Sequence, residues 1–295
     1  MANHEKKSLA FILANLGYDV WLGNNRGNKH SRAHLKYNPN KDKEFWNYSF
    51  HEMGLYDLPA MIKLIQETTN SDKKITYIGH SQGTAQLFAG MTLLPEFYES
   101  KINGFIALGP VTNLRNANST FLKSLIDFRL DLLFSKLGIN EMFRNTQSVT
   151  YIEKLLCTKI GFLCTGLLQN ISDFDIKDDD LDRFIVFLAH FPSGSSVNTF
   201  LHFAQSIRYN NFATLKEMVP YDFTKAKNIP IALFVGMNDR LATVADNRNL
   251  KVILEKNNLL NFYREYENTG HLSFFISISN IFMDDIIRKV LEFSS

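Results

Sequence analysis

The motif Gly79-His80-Ser81-Gln82-Gly83 places one serine between two glycines, at the spacing of a nucleophilic serine on a sharp turn. A β-branched run at residues 75–78 precedes the motif, and a predicted helix follows it. A strand, turn and helix in this order lift a serine hydroxyl above a sheet. We expect Gly79 and Gly83 to avoid a collision with the neighbouring strand and helix, and the Gln82 backbone N–H to donate to a developing oxyanion. The alternative is a tight glycine turn that carries an ordinary serine.

Ser81 needs a general base, and the base needs a carboxylate that orients it. In hydrolases with such a turn the order along the chain is serine, acid, histidine. Three of the eight histidines follow Ser81, namely His190, His202 and His271. His190 and His202 fall within a predicted insertion, whereas His271 follows the last predicted strand. We therefore predict His271 as the base, with a surface loop histidine as the alternative.

The acid should follow a strand at the carboxyl edge of the sheet, and Asp239 does so in Val235-Gly236-Met237-Asn238-Asp239. Asp246 competes with it but lies inside the next predicted helix, and Asp222 precedes the strand. We predict Asp239 as the orienting acid. The alternative is that Asp239 caps the helix that follows.

The elements that must position these side chains alternate between helix and strand at both ends of the chain. Hydrophobic spacing and Gly or Pro breaks predict helices at residues 9–14, 56–67, 84–94, 242–255 and 274–293, and strands at residues 18–22, 75–78, 105–108, 231–235 and 261–266. This alternation predicts an α/β fold with a mostly parallel sheet and helices on both faces. Residues 111–227 lack it and are Phe-rich, so we predict a helical cap inserted between core parts at residues 1–110 and 228–295.

Composition narrows the function classes. The 295 residues carry a net charge of +2 with scattered Lys and Arg, so no electrostatic argument favours nucleic acid. No apolar run is long enough to span a membrane. The acidic run Asp178-Asp179-Asp180 lacks the Gly and Glu of a calcium loop, so we interpret it as a solvated loop. We expect no metal and no cofactor.

The cellular compartment is indicated by weaker features. Three glycosylation sequons begin at Asn47, Asn118 and Asn170, which favours a secretory route. Cys157 and Cys164 could close a small disulfide or remain buried free thiols. Residues 1–8 are polar and the apolar stretch after them is short, so no signal peptide is predicted.

Beyond these patterns, the chain resembles the acid lipase family, which includes gastric lipase and lysosomal acid lipase. The resemblance runs from about Ser8 to the C-terminus. It rests on the Ser81 motif and on Gly17-Tyr18-Asp19-Val20-Trp21-Leu22-Gly23-Asn24, Arg26-Gly27-Asn28, Phe45-Trp46, Ser49-Phe50, Tyr56-Asp57-Leu58-Pro59-Ala60, Pro192-Ser193-Gly194-Ser195-Ser196-Val197 and Gly270-His271-Leu272-Ser273-Phe274.

The resemblance implies an α/β-hydrolase fold and hydrolysis of triacylglycerols or cholesteryl esters by acylation and deacylation of Ser81. It also implies His271 as base, Asp239 as acid, a lid that uncovers an apolar tunnel at a lipid–water interface, and a secreted or lysosomal location. The alternatives are a weakly active or inactive lipase-like protein that binds lipid, and a carboxylesterase for short esters.

Two departures from the family pattern follow. The family's upstream cap cysteine is not found, which puts a family-type disulfide of Cys157 or Cys164 in doubt. The family's signal peptide, first strands and His-Gly-Leu loop have no counterpart before Ser8, so we expect an N-terminally truncated chain whose first strands are missing. The second oxyanion donor would be lost with that loop. The flanking predicted strands, at residues 18–22 and 75–78, would otherwise have to pair directly.

Overall fold

The computed structural model describes residues 3–119, 134, 137–144, 173, 178–188 and 190–295. Its centre is a parallel sheet whose strands are β1 (Ile75–His80), β2 (Ile102–Leu108), β5 (Ile231–Gly236) and β6 (Leu260–Tyr266), hydrogen-bonded in that order. Two short strands, β3 (Glu141–Met142) and β4 (Ser195–Ser196), pair antiparallel apart from it. The predicted α/β fold with a parallel sheet is confirmed.

The described helices lie before, between and after the strands in the chain. The described ones are α1 (Leu9–Asn15), α2 (Phe50–Glu52), α3 (Leu58–Thr69), α4 (Gln82–Leu93), α5 (Pro95–Lys101), α6 (Leu181–Leu188), α7 (Val197–Tyr209), α8 (Val244–Lys256), α9 (Ser273–Ile276) and α10 (Met283–Ser294). Short 3₁₀ segments occupy Lys43–Trp46 and Phe223–Lys225, and a π turn occupies Met53–Asp57. None of the described helices combines the length and the apolar character that crossing a bilayer requires.

Two apolar clusters cover the two faces of the sheet. Phe105 and Leu233 face the cluster formed with α3, α4 and α8, whereas Ile106 and Phe234 face the cluster formed with α1 and α10. The alternation follows from the period of two along a strand. Because both faces are covered, β5 is buried along its whole length, which explains its unbroken apolar sequence.

The strand predicted at residues 18–22 is wrong. The segment belongs to no strand, and β1 pairs only with β2 in the described part of the chain. Tyr18 and Val20 instead pack against the cluster that includes α1 and α10. A β-strand is defined by backbone hydrogen bonds to a neighbouring strand. A segment with a strand-like sequence but no neighbouring strand is therefore not a β-strand. The direct pairing of residues 18–22 with β1 is therefore not formed.

The single closing helix predicted at residues 274–293 is also wrong. It is interrupted between α9 and α10 because the backbone N–H of Ile278 donates to the carbonyl oxygen of Asp178 at 2.6 Å. The Ser277 hydroxyl donates to the Asp178 carboxylate at 2.6 Å. The first of these bonds uses the backbone N–H that would have continued the helix.

The same contacts correct the interpretation of the acidic run as a solvated loop. Asp178 accepts hydrogen bonds from Ser277 and Ser279, and Asp179 is buried. The run fixes the loop between α9 and α10 to the start of α6. Within the ranges described above, His, Cys, Asp and Glu side chains form no group of three or more placed to hold a metal ion.

Candidate active site

Ser81 lies on the turn between β1 and α4, where the backbone reverses from strand to helix. Its φ of 53° and ψ of −120° are unfavourable for a residue with a side chain. The conformation is held by the Ser81 N–H, which donates to the Leu108 carbonyl at 3.1 Å, and by the Thr84 hydroxyl, which donates to the Ser81 carbonyl at 2.6 Å. The half-buried serine hydroxyl therefore projects from the carboxyl end of the sheet.

His271 lies in the loop after β6 and is almost fully buried. Its Nε2 is 2.7 Å from Ser81 Oγ, and its Nδ1 is 2.7 Å from Asp239 Oδ2. A carboxylate can only accept, so Nδ1 carries the proton and Nε2 is free to accept the serine proton. The structure thus brings together the three side chains that the sequence singled out.

Asp239 is held in place by backbone donors. Its other oxygen, Oδ1, accepts the N–H groups of Leu241 and Ala242 at 2.8 and 2.7 Å. It is not the cap of α8, because Thr243 occupies that position. The competing carboxylates are engaged elsewhere. Asp246 accepts hydrogen bonds from Thr243 and Asn116. Asp222 accepts a hydrogen bond from Thr224.

Comparison with known proteins agrees with this architecture. A family model described as alpha/beta hydrolase fold matches residues 4–277. The chain is 37% identical to gastric triacylglycerol lipase of Rattus norvegicus over 93% of this chain and 71% of that protein. It is 34% identical to lipase member K of Homo sapiens over 94% of this chain and 71% of that protein. It is 32% identical to lysosomal acid lipase/cholesteryl ester hydrolase of Rattus norvegicus over 93% and 71%.

The chain belongs to the acid lipase family of α/β-hydrolases. A solved structure agrees on the fold alone: a carboxyl esterase from Bacillus coagulans in complex with glycerol, 16% identical, with a TM-score of 0.50 over 84% of this chain and 72% of that one.

The two glycines of this hydrolase turn have different roles. A Cβ on Gly79 would lie 2.7 Å from the Gly83 carbonyl oxygen, too close for any side chain. A Cβ on Gly83 would meet only the Tyr77 hydroxyl at 3.7 Å, which is ordinary contact. The expected collision is therefore present at Gly79 and wrong at Gly83. Gln82 is the first residue of α4, where backbone N–H groups lack intrahelical acceptors, so its amide is suited to an oxyanion.

The electrostatics of the hydrolase site raise the pKa of His271. Burial alone lowers the pKa of His271, but the charge and hydrogen bond of Asp239, with the charge of Asp173, outweigh it and raise the pKa above its ordinary value. An imidazolium formed by proton transfer from Ser81 would therefore be stabilised.

His80, the residue before the serine, was not predicted to act. Its Nε2 donates to the backbone carbonyl of His271 at 2.7 Å, and its ring contacts that of Phe275. Burial, then the neighbouring His271, lowers the pKa of His80 to about 3, so it stays neutral and ties the loop of His271 to the end of β1.

Gly109, which follows β2 with a φ of +52°, was also not predicted to belong to the site. A Cβ there would be 3.2 Å from His271 Nδ1 and 3.3 Å from Asp239 Oδ2. A glycine directly after a buried strand, at the edge where Ser81 and Asp239 emerge, was the signal available in the sequence.

The remaining predicted residues lie away from the site. His202 is buried in α7, donates from Nε2 to the Ala213 carbonyl at 2.6 Å and accepts at Nδ1 from the Ser49 hydroxyl. His190 is exposed. Of the glycosylation candidates, Asn47 and Asn118 are exposed at the surface. Asn170 and both cysteines, Cys157 and Cys164, lie outside the described residues.

Proposed function

We propose that the chain is a serine-dependent lipase or esterase that hydrolyses triacylglycerols or cholesteryl esters. The observation that carries the proposal is the continuous hydrogen-bonded series from Ser81 Oγ through His271 to Asp239, with 2.7 Å at each step. The substrate class follows from the relatives, which are named triacylglycerol lipase and cholesteryl ester hydrolase. The reaction requires no metal and no cofactor.

Acylation would begin when Ser81 Oγ attacks the ester carbonyl carbon and its proton moves to His271 Nε2. The negative charge on the carbonyl oxygen would be stabilised by the Gln82 N–H. Asp239 keeps the proton of Nδ1 in place and stabilises the imidazolium, consistent with the raised pKa of His271. Collapse of the intermediate breaks the bond to the leaving alcohol, which takes the proton from Nε2.

Deacylation would repeat these steps with water. His271 Nε2 removes a proton from water, the hydroxide attacks the acyl carbon, and the Gln82 N–H again faces the oxyanion. Collapse releases the fatty acid and returns the proton to Ser81 Oγ.

Residues 111–227 would form the cap over this site, with the core at residues 1–110 and 228–295. The support is contact between α6 and the base loop: Phe184 is buried against Leu272, next to His271, and against Ile276. A cap in this position would exclude water and meet the lipid–water interface. The gastric and lysosomal names of the relatives, with exposed Asn47 and Asn118, favour a secreted or lysosomal location.

The test is covalent labelling of the purified chain with a fluorophosphonate probe, followed by turnover of three esters. We expect wild type to be labelled, Ser81→Ala to be unlabelled, and the exposed-serine control Ser100→Ala to be labelled like wild type. Ser81→Ala should lose up to about 10⁶-fold in kcat. If the wild-type chain were not labelled, the proposed catalysis would be contradicted, and the alternative of a lipid-binding protein without catalytic activity would remain.

The substrate class is tested separately. Turnover of long-chain triacylglycerol and cholesteryl ester dispersions should exceed turnover of a soluble short-chain ester. Hydrolysis restricted to the short-chain ester would instead identify a carboxylesterase and contradict the lipid substrate.

A further inference from the structure

Asp173 is a carboxylate near the triad that the reaction described above does not use. Its Oδ2 accepts a hydrogen bond from the backbone N–H of Arg240, the residue directly after Asp239. The Arg240 guanidinium lies 3.7 Å from its other oxygen. The Asp173 side chain is only 4% exposed, whereas the Arg240 side chain is 59% exposed, so the carboxylate is the inner member of this pair.

The backbone of Asp173 also touches the loop of the base. A Cβ on Gly270 would collide with the Asp173 carbonyl oxygen, so the two backbones are in direct contact. Gly270 immediately precedes His271, and its N–H is fixed by the Ser273 hydroxyl at 2.9 Å. One residue therefore lies against both the loop of Asp239 and the loop of His271.

These contacts require an unusual backbone. Asp173 has a φ of 57°, in the left-handed region that aspartate tolerates better than most residues. In that conformation its carbonyl meets Gly270 while its carboxylate reaches Arg240.

The charged and titratable groups that face Asp173, among the described residues, are Asp239, His271 and Arg240. Burial raises the pKa of Asp173 to about 6 and the charge of Asp239 adds to this, while the Arg240 hydrogen bond and the charges of His271 and Arg240 oppose it. The ionised carboxylate in turn helps to raise the pKa of His271. The charge on each of these two side chains therefore affects the pKa of the other.

We propose that Asp173 is a positioning residue of the triad, which holds the loops of Asp239 and His271 together and whose negative charge acts on the His271 ring. The proposal rests on the proposed function, because it concerns the base of that reaction. It adds a pH response: when Asp173 is protonated, His271 loses a neighbouring negative charge and stays in its neutral, base-competent form at lower pH.

The decisive variant is Asp173→Asn, which keeps an oxygen to accept the Arg240 N–H but removes the charge. The acid limb of kcat/KM reports the base of the free enzyme. We expect this limb to move to lower pH by roughly 0.5 unit or more, because removing a negative neighbour lowers the pKa of the histidine. The plateau kcat should stay within about threefold of wild type, because the loop contact is retained.

Asp173→Ala removes both the charge and the acceptor. It should shift the acid limb in the same direction and also lower kcat by about tenfold, because the Asp239 loop loses an anchor. The matched control is Asp182→Asn, which neutralises an exposed aspartate on α6 and should change neither quantity.

The outcomes separate the inference from the proposed function. A wild-type chain that neither reacts with fluorophosphonate nor turns over ester contradicts the proposed function. An active wild type with an unshifted acid limb in Asp173→Asn overturns the role of Asp173 and leaves the triad intact. A purely structural aspartate would reduce activity in the alanine variant without moving the limb in the asparagine variant.

Discussion

Replacement of Gly109 by alanine tests how closely the triad is packed. The backbone φ of +52° is unfavourable for alanine by about 1–2 kcal/mol. For a chain of this size that cost corresponds to a fall in Tm of roughly 2–3 °C. The substitution adds a second effect, since the new Cβ would lie 3.2 Å from His271 Nδ1 and 3.3 Å from Asp239 Oδ2.

The second effect should act on catalysis. Comfortable carbon contacts begin at about 3.5 Å, so the ring and the carboxylate must each retreat by a few tenths of an ångström. Complete loss of the orienting acid costs about 10⁴-fold in kcat. A small displacement with the Asp239 to His271 bond still present should cost less, and we expect about 10-fold to 100-fold.

Gly138→Ala is the matched control. Gly138 has a φ of +66°, and a Cβ there meets no atom within 4 Å, so the variant shares the backbone cost without the crowding. Tm and ester turnover of both variants are measured beside wild type. Both should lose the Tm that the positive φ costs, Gly109→Ala should lose more because of the added crowding, and only Gly109→Ala should lose kcat. A Gly109→Ala variant with wild-type kcat would refute the claim that a side chain at residue 109 disturbs the hydrogen bond between His271 and Asp239.

Two further predictions concern other buried groups. Burial lowers the pKa of His202 to about 4, so between about pH 6.5 and 4 the unfolded chain binds a proton that the folded chain refuses, and stability falls as pH falls. His202→Gln should therefore reduce the loss of unfolding free energy between pH 7 and pH 5 by about 2 kcal/mol in denaturant titrations, and an unchanged pH dependence would contradict this. The Gly83→Ala variant should fold and react with fluorophosphonate, and its free energy of unfolding should rise by about 0.5–1 kcal/mol because alanine favours the helix. The Gly79→Ala variant should lose both stability and labelling, because its Cβ has no space. Equal behaviour of the two variants would contradict this difference in space.

The parts of the fold that sequence could predict depend on local pattern. The turn at Ser81 was recognisable because the strand, the glycines, the serine and the helix are contiguous in sequence. Asp239 and His271 could be predicted as its partners because they come shortly after β5 and β6. The structure places their side chains within hydrogen-bonding distance as that order requires. Their catalytic roles stay predictions until the variants above are measured.

The parts that sequence could not predict depend on distant contacts. Residues 18–22 have a strand-like sequence, but whether they form a strand is decided by a neighbouring strand and not by their own residues. The interruption after α9 is caused by Asp178, which is 99 residues from Ser277 in sequence. Asp173 meets Arg240 across a separation of 67 residues, and no local pattern in either segment indicates that meeting.

Ser81 and His271 are 190 residues apart in sequence, and the pairing of β2 with β5 and of β5 with β6 brings them together. That pairing closes a long loop, whose conformational entropy must be paid before the contact can form. During synthesis, Ser81 leaves the ribosome long before β5, β6 and the base loop exist. A nascent chain that lacks them cannot form the hydrogen bond between Ser81 and His271, and this bond can form only when β5 and β6 have joined the sheet. If Ser81 reacts as proposed, the onset of its covalent labelling would report when this last part of the fold has formed.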